Sequence, residues 1–305
     1  MTSTQPLRFK TISEFHQFRG MPKPEHPLIT VIKLDAIKQL PPNEAGIIKD
    51  FYSISLKRNF NVRMKYGQQD LDFTDGVMFF MAPGQLLKLE ADPNTTLNHS
   101  GFMLLIHPDF LWNTPLAKGI KQYEYFDYAV NEALFLSEKE ETIISGILQN
   151  IQQEYHSNID NFSQNIIIAQ LEVLLSYSER FYQRQFITRK KANHEVLNKL
   201  EALLQDWFEH DTVSKTGLPT VRYIAGSLHV SPGYLSGLLK TLTGKSTQQH
   251  IHDCLIDKAK ERLSTTALTV SEIAYELGFE HPQSFSKLFK TKTNFSPLEF
   301  RQSFV

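Results

Sequence analysis

The sequence has 305 residues and a single cysteine, Cys254, so it contains no internal disulfide and no cysteine-rich metal centre. It lacks any run of about 18 apolar residues that could span a membrane. Its first residues, Met-Thr-Ser-Thr-Gln-Pro, lack the charged start and apolar stretch of a secretory signal. We therefore expect a cytoplasmic protein with no membrane partner, in which Cys254 is a buried structural thiol.

The sequence also lacks the common motifs of catalysis and metal binding. No Gly-x-Ser-x-Gly motif, phosphate-binding loop or dinucleotide fingerprint is present. A metal-dependent β-barrel needs two histidines two residues apart on a strand, with a further His and a Glu. The four histidines of the N-terminal region do not have this spacing: His16, His26, His99 and His107. We predict no cofactor, no metal site and no catalytic residue, and hence a protein that is not an enzyme.

The overall net charge of −1 hides an uneven distribution. Residues 218–305 contain 10 Lys or Arg and 7 Asp or Glu, a net charge of +3, whereas the remainder contains 22 basic and 26 acidic residues, a net charge of −4. A modest positive excess at the C-terminus has the sign that a nucleic-acid partner requires. It predicts weak non-specific affinity that depends on a second subunit or a second site.

Residues 1–132 have the pattern of many short strands. Six segments rich in β-branched or aromatic residues are separated by Gly, Pro, Asn and Asp, at positions 28–34, 51–56, 62–66, 76–81, 86–89 and 101–106. In the second segment, Tyr52, Ile54 and Leu56 alternate with two serines, which predicts one buried face and one polar face. Short strands at short intervals favour a β-barrel or jelly roll.

Residues 133–187 change to helical periodicity. Ser137 and Glu140 have the spacing of a capping box at a helix start, and two apolar stripes follow, in residues 143–155 and 166–182. These stripes can be internal core or an exposed dimer face, and the residues alone leave both possibilities open. The basic segment 184–191 is interpreted as the link between domains, with phosphate contact as a secondary possibility.

The last third of the chain contains one helical pattern twice. The apolar residues of segment 220–228 recur in segment 269–277, an offset of 49, and segment 234–240 recurs at 284–290, an offset of 50. One residue is therefore added in the second turn. Two short helices joined by a tight turn form the helix-turn-helix plan, in which the second helix enters a DNA major groove.

The second helix of each unit is predicted to have an inner apolar face and an outer face of polar or small residues. Leu235, Leu238 and Leu239 are predicted to face inward in the first unit, as are Phe285, Leu288 and Phe289 in the second. The outer residues are Gly233, Ser236, Gly237 and Lys240 in the first unit and Gln283, Ser284, Lys287 and Lys290 in the second. Between the units, residues 247–264 are predicted to form one long helix.

Four motifs in this region resemble the C-terminal domain of AraC/XylS-type transcription regulators. They are Ser231-Pro-Gly-Tyr-Leu-Ser, Ile273-Ala-x-x-x-Gly-Phe279, Ser284-Phe-Ser-Lys-Leu-Phe-Lys290 and Ser296-Pro-Leu-Glu-Phe-Arg301. The resemblance covers the last quarter to third of the chain, and the motifs have the order and spacing of that family. The N-terminal part is similar in pattern and position to the cupin-like sensory barrels of such regulators.

The resemblance implies an α+β protein with three parts. These are a cupin-like β-barrel or jelly-roll sensory domain at 1–132, a helical dimerisation pair at 133–187 and a DNA-binding domain at 188–305, with helix-turn-helix units at 220–243 and 269–293. It implies a sequence-specific transcriptional regulator that binds double-stranded DNA as a homodimer, is controlled by a small-molecule effector in the barrel, and works with RNA polymerase.

The resemblance also implies the roles of individual residues. The positions expected to face bases are Gly233, Ser236, Gly237, Gln283, Ser284 and Lys287, and those expected to contact phosphates are Ser231, Lys240, Lys245 and Lys290. An amide such as that of Gln283 pairs with adenine, and a lysine reaches guanine. Many relatives have longer side chains where this sequence has Gly233 and Gly237, so the first helix is expected to dock by shape and phosphate contact. No effector-binding residue is predicted.

Two alternatives remain. The barrel could be a metal-dependent cupin-type enzyme that the C-terminal domain tethers to DNA, although the histidine spacing argues against it. The protein could also be a ligand-independent regulator that is controlled by its amount or by a protein partner.

Overall fold

The computed structural model describes residues 6–37, 46–58, 76–87, 100–129, 132–157, 160, 162–209, 213 and 216–303. The chain divides into two compact units, Met1–Gln185 and Phe186–Val305. The predicted strand at 62–66, the end of the predicted strand at 86–89, and His99 lie outside the described residues.

In its described residues, the first unit contains two β-sheets, three α-helices and most of a fourth α-helix, Ser163–Thr188. The strands are β1 (Leu7–Phe9), β2 (Ile29–Lys33), β3 (Ile47–Lys49), β4 (Tyr52–Arg58), β5 (Val77–Met81), β6 (Leu86–Leu87), β7 (Ser100–Ile106) and β8 (Leu134–Phe135). One sheet has the order β1-β3-β6, and the other has the order β2-β7-β4-β5-β8 with every neighbouring pair antiparallel. The helices are α1 (Ile12–Phe18), α2 (Leu116–Gly119) and α3 (Glu138–Tyr155).

The central strand β4 differs from its predicted pattern. Ser53 and Ser55 are 3% and 5% exposed, so the face that was expected to be polar and solvated is buried as well. The reason is the second layer. Ser55 lies opposite Phe79 in the ladder, and Phe79 belongs to the same buried cluster as Phe15 of α1 and Ile47 of the smaller sheet. When both faces of a strand are covered, the alternation of apolar and polar residues no longer distinguishes a buried face from an exposed face.

The opposite face of the five-stranded sheet is covered by aromatic side chains. Phe80 packs on Tyr125, Phe126 and Tyr182, with ring centroids 4.5, 5.6 and 6.2 Å away, and Tyr52 packs on Phe126 at 5.2 Å. The Tyr125 hydroxyl donates a hydrogen bond to the carbonyl of Leu175 at 2.9 Å. These rings join the sheet to the helical segment that follows it.

The predicted capping box at the start of α3 is confirmed, since Ser137 and Glu140 each bond the other's backbone. The boundary between the two compact units, after Gln185, falls within the basic segment 184–191 that is interpreted as the domain link. This segment is helical, since α4 (Ser163–Thr188) continues through most of it and α5 (Lys190–Glu209) begins one residue later. Arg184 donates to the Glu140 carboxylate at 2.6 Å and to the Phe135 carbonyl at 2.7 Å. These bonds give Arg184 a structural role within the first unit, and phosphate contact by the rest of the segment stays a prediction.

The second unit is helical in every described element. After α5 come α6 (Val221–Ser227), α7 (Pro232–Thr243), α8 (Thr247–Thr265), α9 (Val270–Glu276), α10 (Pro282–Thr293) and α11 (Pro297–Gln302). They enclose one core in which Leu235, Ile251, Leu255, Ala259 and Phe285 are 0% exposed. In the part of the chain that the structure describes, no helix combines the length and the apolar character needed to cross a bilayer.

The predicted α+β class is confirmed at this level, with sheets in the N-terminal unit and helices in the C-terminal one. Cys254, the single cysteine, is half-buried in α8, where burial raises the pKa of its thiol. The cupin-like topology and the pairing of helices between subunits stay predictions.

Gly101 provides a test of how closely β7 and β4 pack. Its φ is +119°, and a Cβ atom built on it would lie 2.1 Å from the Leu56 carbonyl oxygen. We expect Gly101→Ala to lower the free energy of unfolding by about 3 kcal/mol or more, since it combines backbone strain with a clash that rigid backbone cannot relieve. Urea unfolding measures the loss.

The matched control is Gly84→Ala, where φ is +84° but no atom lies within 4 Å. This substitution should lower the free energy of unfolding by only about 1 kcal/mol. Equal losses would contradict the packing explanation.

Candidate nucleic-acid interface

The first helix-turn-helix unit is built from local backbone signals. Thr220 caps α6 by accepting the Tyr223 N–H. After α6, His229 adopts a left-handed conformation, φ 56°, and the Val230 N–H donates to the Ala225 carbonyl at 3.0 Å. This is the hydrogen-bonded reversal that ends many helices. Ser231 then starts α7 by accepting the Tyr234 N–H, with Pro232 in the first turn.

The second unit repeats this plan with different residues. Thr269 and Glu272 form a capping box at the start of α9. The left-handed position is Gly278, φ 77°, and the Phe279 N–H donates to the Ala274 carbonyl at 3.0 Å. The extra residue falls between this turn and α10, whose N-cap is His281 without a side-chain bond. His229 and Gly278 are therefore equivalent, and a β-carbon in the left-handed conformation costs the first unit about 1 kcal/mol.

The repeat extends further than the sequence analysis recognised. Gly244 and Asn294 end α7 and α10 in the left-handed conformation, with φ 73° and 64°. Ser246 and Ser296 then begin the next helices, α8 and α11, each with a capping box. The signal was available in the sequence, because Gly and Asn are the two residues that favour this conformation at a helix end and a Ser-x-x-Gln/Glu pattern follows each.

The inner faces of the two second helices match the predicted pattern. Leu235, Leu238 and Leu239 are each 0% exposed in α7, and so are Phe285 and Phe289 in α10. Leu288 is partly buried and packs against the same core. Each helix is thereby fixed in rotation about its own axis, which determines the side chains that it presents outward.

The outer faces of the two helices differ from each other. Gln283, Ser284, Lys287 and Lys290 are exposed on α10, as predicted, and Lys240 is exposed on α7. The small residues of α7, by contrast, are half-buried: Gly233, Ser236 and Gly237. The Ser236 hydroxyl lies 3.2 Å from the Thr247 hydroxyl, so α7 packs partly against the start of α8. The first helix therefore offers a flat backbone surface with one lysine, and the second offers a row of long polar side chains.

The long helix α8 holds the two units on one core. The helix predicted at 247–264 is confirmed, and its inward residues, Ile251, Leu255, Ala259 and Leu263, are 0 to 1% exposed. A helix of 19 residues is about 28 Å long. Arg301 donates from Nε to the Leu263 carbonyl at 3.1 Å and so closes the second helix-turn-helix unit against the end of α8.

An ion-pair network centred on α8 connects the two helix-turn-helix units. Asp253 on α8 lies 2.7 Å from Lys245, which follows α7, and 3.0 Å from Lys292 near the end of α10. Burial opposes ionisation of Asp253, but the two lysine hydrogen bonds outweigh it and hold the pKa of the carboxyl below its usual value. The hydrogen bond to Asp253 also raises the pKa of Lys245. Lys245 is predicted to contact a phosphate. To do so it must break its ion pair with Asp253 or bind both groups at once, a constraint that the sequence did not reveal.

Ser231 has a structural use alongside its predicted phosphate role, since its Oγ caps α7. A capping serine at the start of a helix lies beside backbone N–H groups, which is where phosphates of nucleic acids commonly bind. Its position is compatible with both roles.

Comparisons with known proteins match this C-terminal unit. A family model described as a helix-turn-helix domain matches residues 224–303. Over 140 residues the chain is 31% identical to the transcriptional activator RhaS of Enterobacter sp. (strain 638), which is 46% of this chain and 46% of RhaS. The chain spans about half the length of the curated relatives it matches.

Two solved structures are similar to the same region. The C-terminal domain of the two-component response regulator yesN from Fusobacterium nucleatum is 32% identical, over 33% of this chain and 96% of that domain, with a TM-score of 0.29. A transcriptional regulator from Chromobacterium violaceum with an AraC-type DNA-binding domain is 20% identical, over 38% of this chain and 96% of that structure, with a TM-score of 0.34.

The Asp253 network allows a test of the electrostatics of this surface. We expect Asp253→Asn to increase affinity for duplex DNA of any sequence several-fold at low salt, because it removes one negative charge and releases two lysines for phosphates. Fluorescence anisotropy with a random-sequence duplex measures the change. Asp257→Asn is the matched control, since Asp257 lies one turn further along α8 and pairs with Lys260 instead. An Asp253→Asn protein that binds no more tightly than Asp257→Asn would show that these lysines do not face DNA.

Proposed function

We propose that this chain is an AraC/XylS-type transcriptional regulator, which binds specific DNA sequences and regulates transcription; the match of residues 224–303 to a helix-turn-helix domain supports this proposal. The observation that carries this proposal is the pair of helix-turn-helix units packed on one helix, α8. The length of α8, about 28 Å, is of the same order as the repeat of about 34 Å between successive major-groove turns.

The two recognition helices have different roles in this proposal. The second, α10, reads bases through Gln283, Ser284 and Lys287, whose exposed side chains include an amide for adenine and an ammonium for guanine. The first, α7, approaches the groove closely, because Gly233 and Gly237 have no side chain to keep the backbone away, and Ser236 completes this base-facing surface.

Phosphate contacts position both helices in this proposal. Lys240 and Lys290 occupy equivalent places, 50 residues apart, near the ends of α7 and α10. Ser231 and Lys245 complete the phosphate-binding set. Contacts of this kind fix register and orientation without reading sequence, so each lysine contributes to affinity for all duplexes.

The N-terminal unit is proposed to be a cupin-like sensory domain rather than an enzyme. The relatives above are transcriptional regulators, and the described residues bring together no group of three His, Cys, Asp or Glu side chains that could hold a metal ion. A small-molecule effector bound there would shift the protein between two states with different affinity for DNA. Control by the amount of protein or by a protein partner is the alternative, and RNA polymerase is the proposed partner at the promoter, in the cytoplasm.

A homodimer is proposed from an apolar stripe on α4. Ile166 and Val173 are 44% and 43% exposed, and Ala169 between them is exposed too. Phe162, directly before α4, is 68% exposed. Spacing of four, three and four residues puts these side chains on one face of a helix, in the pattern of a seam between two helices. A second copy of the same helix is the occupant that matches this self-complementary stripe, and residues 133–187 would then supply the dimerisation pair.

Base reading by α10 can be tested with full-length protein. An unbiased selection from random DNA should return sites with strong preference in the part that α10 contacts. We expect Lys287→Ala to relax preference at one base pair by about fivefold to a hundredfold, because one base contact is lost. Lys290→Ala should weaken binding to all sequences and reduce the slope of log affinity against log salt by about one.

Two further variants complete this test. Gly237→Arg should weaken binding to every site, since an arginine would prevent the close approach of α7. Lys139→Ala removes an exposed lysine on α3 and is the control, with no expected effect. Unchanged base preference in Lys287→Ala would rule out the assignment of α10, and selection with no sequence preference would reduce the C-terminal domain to a phosphate clamp.

The dimer is tested by charge placed on the α4 stripe. Ile166→Glu should convert the protein to a monomer at micromolar concentration in sedimentation equilibrium, because a carboxylate in an apolar seam is costly to desolvate. Asn150→Glu places the same charge at an exposed position on α3, away from this stripe, and is the control that should stay dimeric. A dimer of unchanged strength in Ile166→Glu would contradict this interface, whatever its effect on DNA binding.

A further inference from the structure

Three cationic side chains from three different elements meet inside the N-terminal unit. Lys49 is the last residue of β3 in the smaller sheet, Lys57 is on β4 in the larger sheet, and Arg19 follows directly after α1. Lys49 and Lys57 are only 5% and 9% exposed, and Arg19 is partly buried. Lysines are among the residues least often buried in folded proteins unless they are paired.

Aromatic rings define where these cations meet. The Lys49 Nζ lies 5.7 Å from the centre of the Phe15 ring, and the Arg19 guanidinium carbon lies 5.5 Å from the same ring. The Lys57 Nζ lies 5.0 Å from the centre of the Phe79 ring. Phe15 and Phe79 belong to one buried cluster, so the three cations border a single apolar interior between the two sheets.

This arrangement is costly for the protein by itself. Burial, followed by repulsion from Lys57 and from Arg19, lowers the pKa of Lys49 to about 7, and burial and Arg19 lower the pKa of Lys57 to about 7. Burial also lowers the pKa of Arg19 to about 10. Contacts with aromatic faces recover only part of this cost. A bound anion would recover more, because it would attract all three charges at once.

Lys49 is the cation that most needs such a partner. Within the described ranges of the chain, no carboxylate lies within ion-pair distance of its Nζ. Arg19 and Lys57 each make a further contact. Their contribution to an anion-binding site is therefore positive electrostatic potential. The hydroxyls of Ser53 and Ser55 lie on the same buried face of β4 as Lys57 and add polar groups to an otherwise apolar surface.

We propose that these residues form the binding site for a small organic acid, with its carboxylate among Lys49, Lys57 and Arg19 and its apolar part against Phe15 and Phe79. A carboxylate carries a single charge on an apolar body, which fits cations that project into a cluster of rings and aliphatic side chains. Phosphate carries more charge and more tightly held water, and it has no apolar part to place against the rings. The role of this acid as the effector rests on the function proposed above, but the binding of the acid to the protein does not.

The experiment uses full-length protein without DNA. Isothermal titration calorimetry is performed with octanoate and 3-phenylpropanoate, with octan-1-ol and 3-phenylpropan-1-ol as neutral isosteres, and with inorganic phosphate as an anion without an apolar part. We expect at least one acid to bind and its alcohol to bind at least about tenfold more weakly. Equal binding of acid and alcohol, tighter binding of phosphate, or no binding of either acid would overturn the proposal.

Substitutions locate the binding. Lys49→Met keeps an unbranched apolar side chain and removes a buried charge, so the protein should fold at least as stably as wild type while its affinity for the acid falls about tenfold or more. Lys57→Met should weaken the acid as well and serves as the second variant if Lys49→Met does not fold. Lys33→Met removes an exposed lysine at the end of β2 and should bind the acid normally. Unchanged affinity in both Lys49→Met and Lys57→Met would exclude this site.

A separate measurement distinguishes this site from the proposed regulator function. The affinity for the selected DNA site is measured with and without the acid. Acid binding that depends on Lys49 but leaves DNA affinity unchanged would support the site and overturn its role as an effector site. Specific DNA binding without any acid binding would overturn the site and leave the regulator function intact.

Discussion

The buried stripe of α8 is the constraint on which the C-terminal unit depends. Ile251, Leu255, Ala259 and Leu263 are closed to solvent and contribute to one core shared by both helix-turn-helix units. Because closely packed interiors deform little, the two recognition helices keep a fixed separation. In the proposed function, a fixed separation lets the two units bind DNA as one body, without the loss of entropy that a flexible connection would bring.

The charge distribution of the C-terminal unit predicts a moderate affinity for DNA. A net charge of +3 over residues 218–305 gives weak attraction to phosphates, and Asp253 holds two of the lysines in ion pairs. Exposed ion pairs are worth little in stability, so these lysines can exchange Asp253 for phosphate at low cost. In the proposed function, such a surface favours discrimination by the exposed side chains of α10 over non-specific binding to DNA, and the proposed dimer would increase the total affinity.

The sequence alone predicted the C-terminal fold well because its signals are local. Apolar spacing and turn residues act within a few residues of the chain, and the repeat shows the apolar spacing twice. The left-handed helix ends at Gly244 and Asn294 are equally local signals, although the prediction did not use them. The same kind of inference was incomplete for the first recognition helix, where the exposure of Ser236 depends on the start of α8, eleven residues later. It was wrong for the serines of β4, because their burial depends on a sheet and a helix that are distant in sequence.

Helix positions, their inward stripes and the order of the outward residues on α10 were thus determined by the sequence itself, since 3.6-residue periodicity and capping need only chain neighbours. The tertiary structure decided which side chains meet: Asp253 with lysines of both units, Arg184 with Glu140, and Lys49 with Lys57 and Arg19. The last of these comes from two sheets and a helix end, where strand pairing and layer packing set the positions. No local pattern marks such a convergence, because each lysine in isolation reads as an ordinary surface residue.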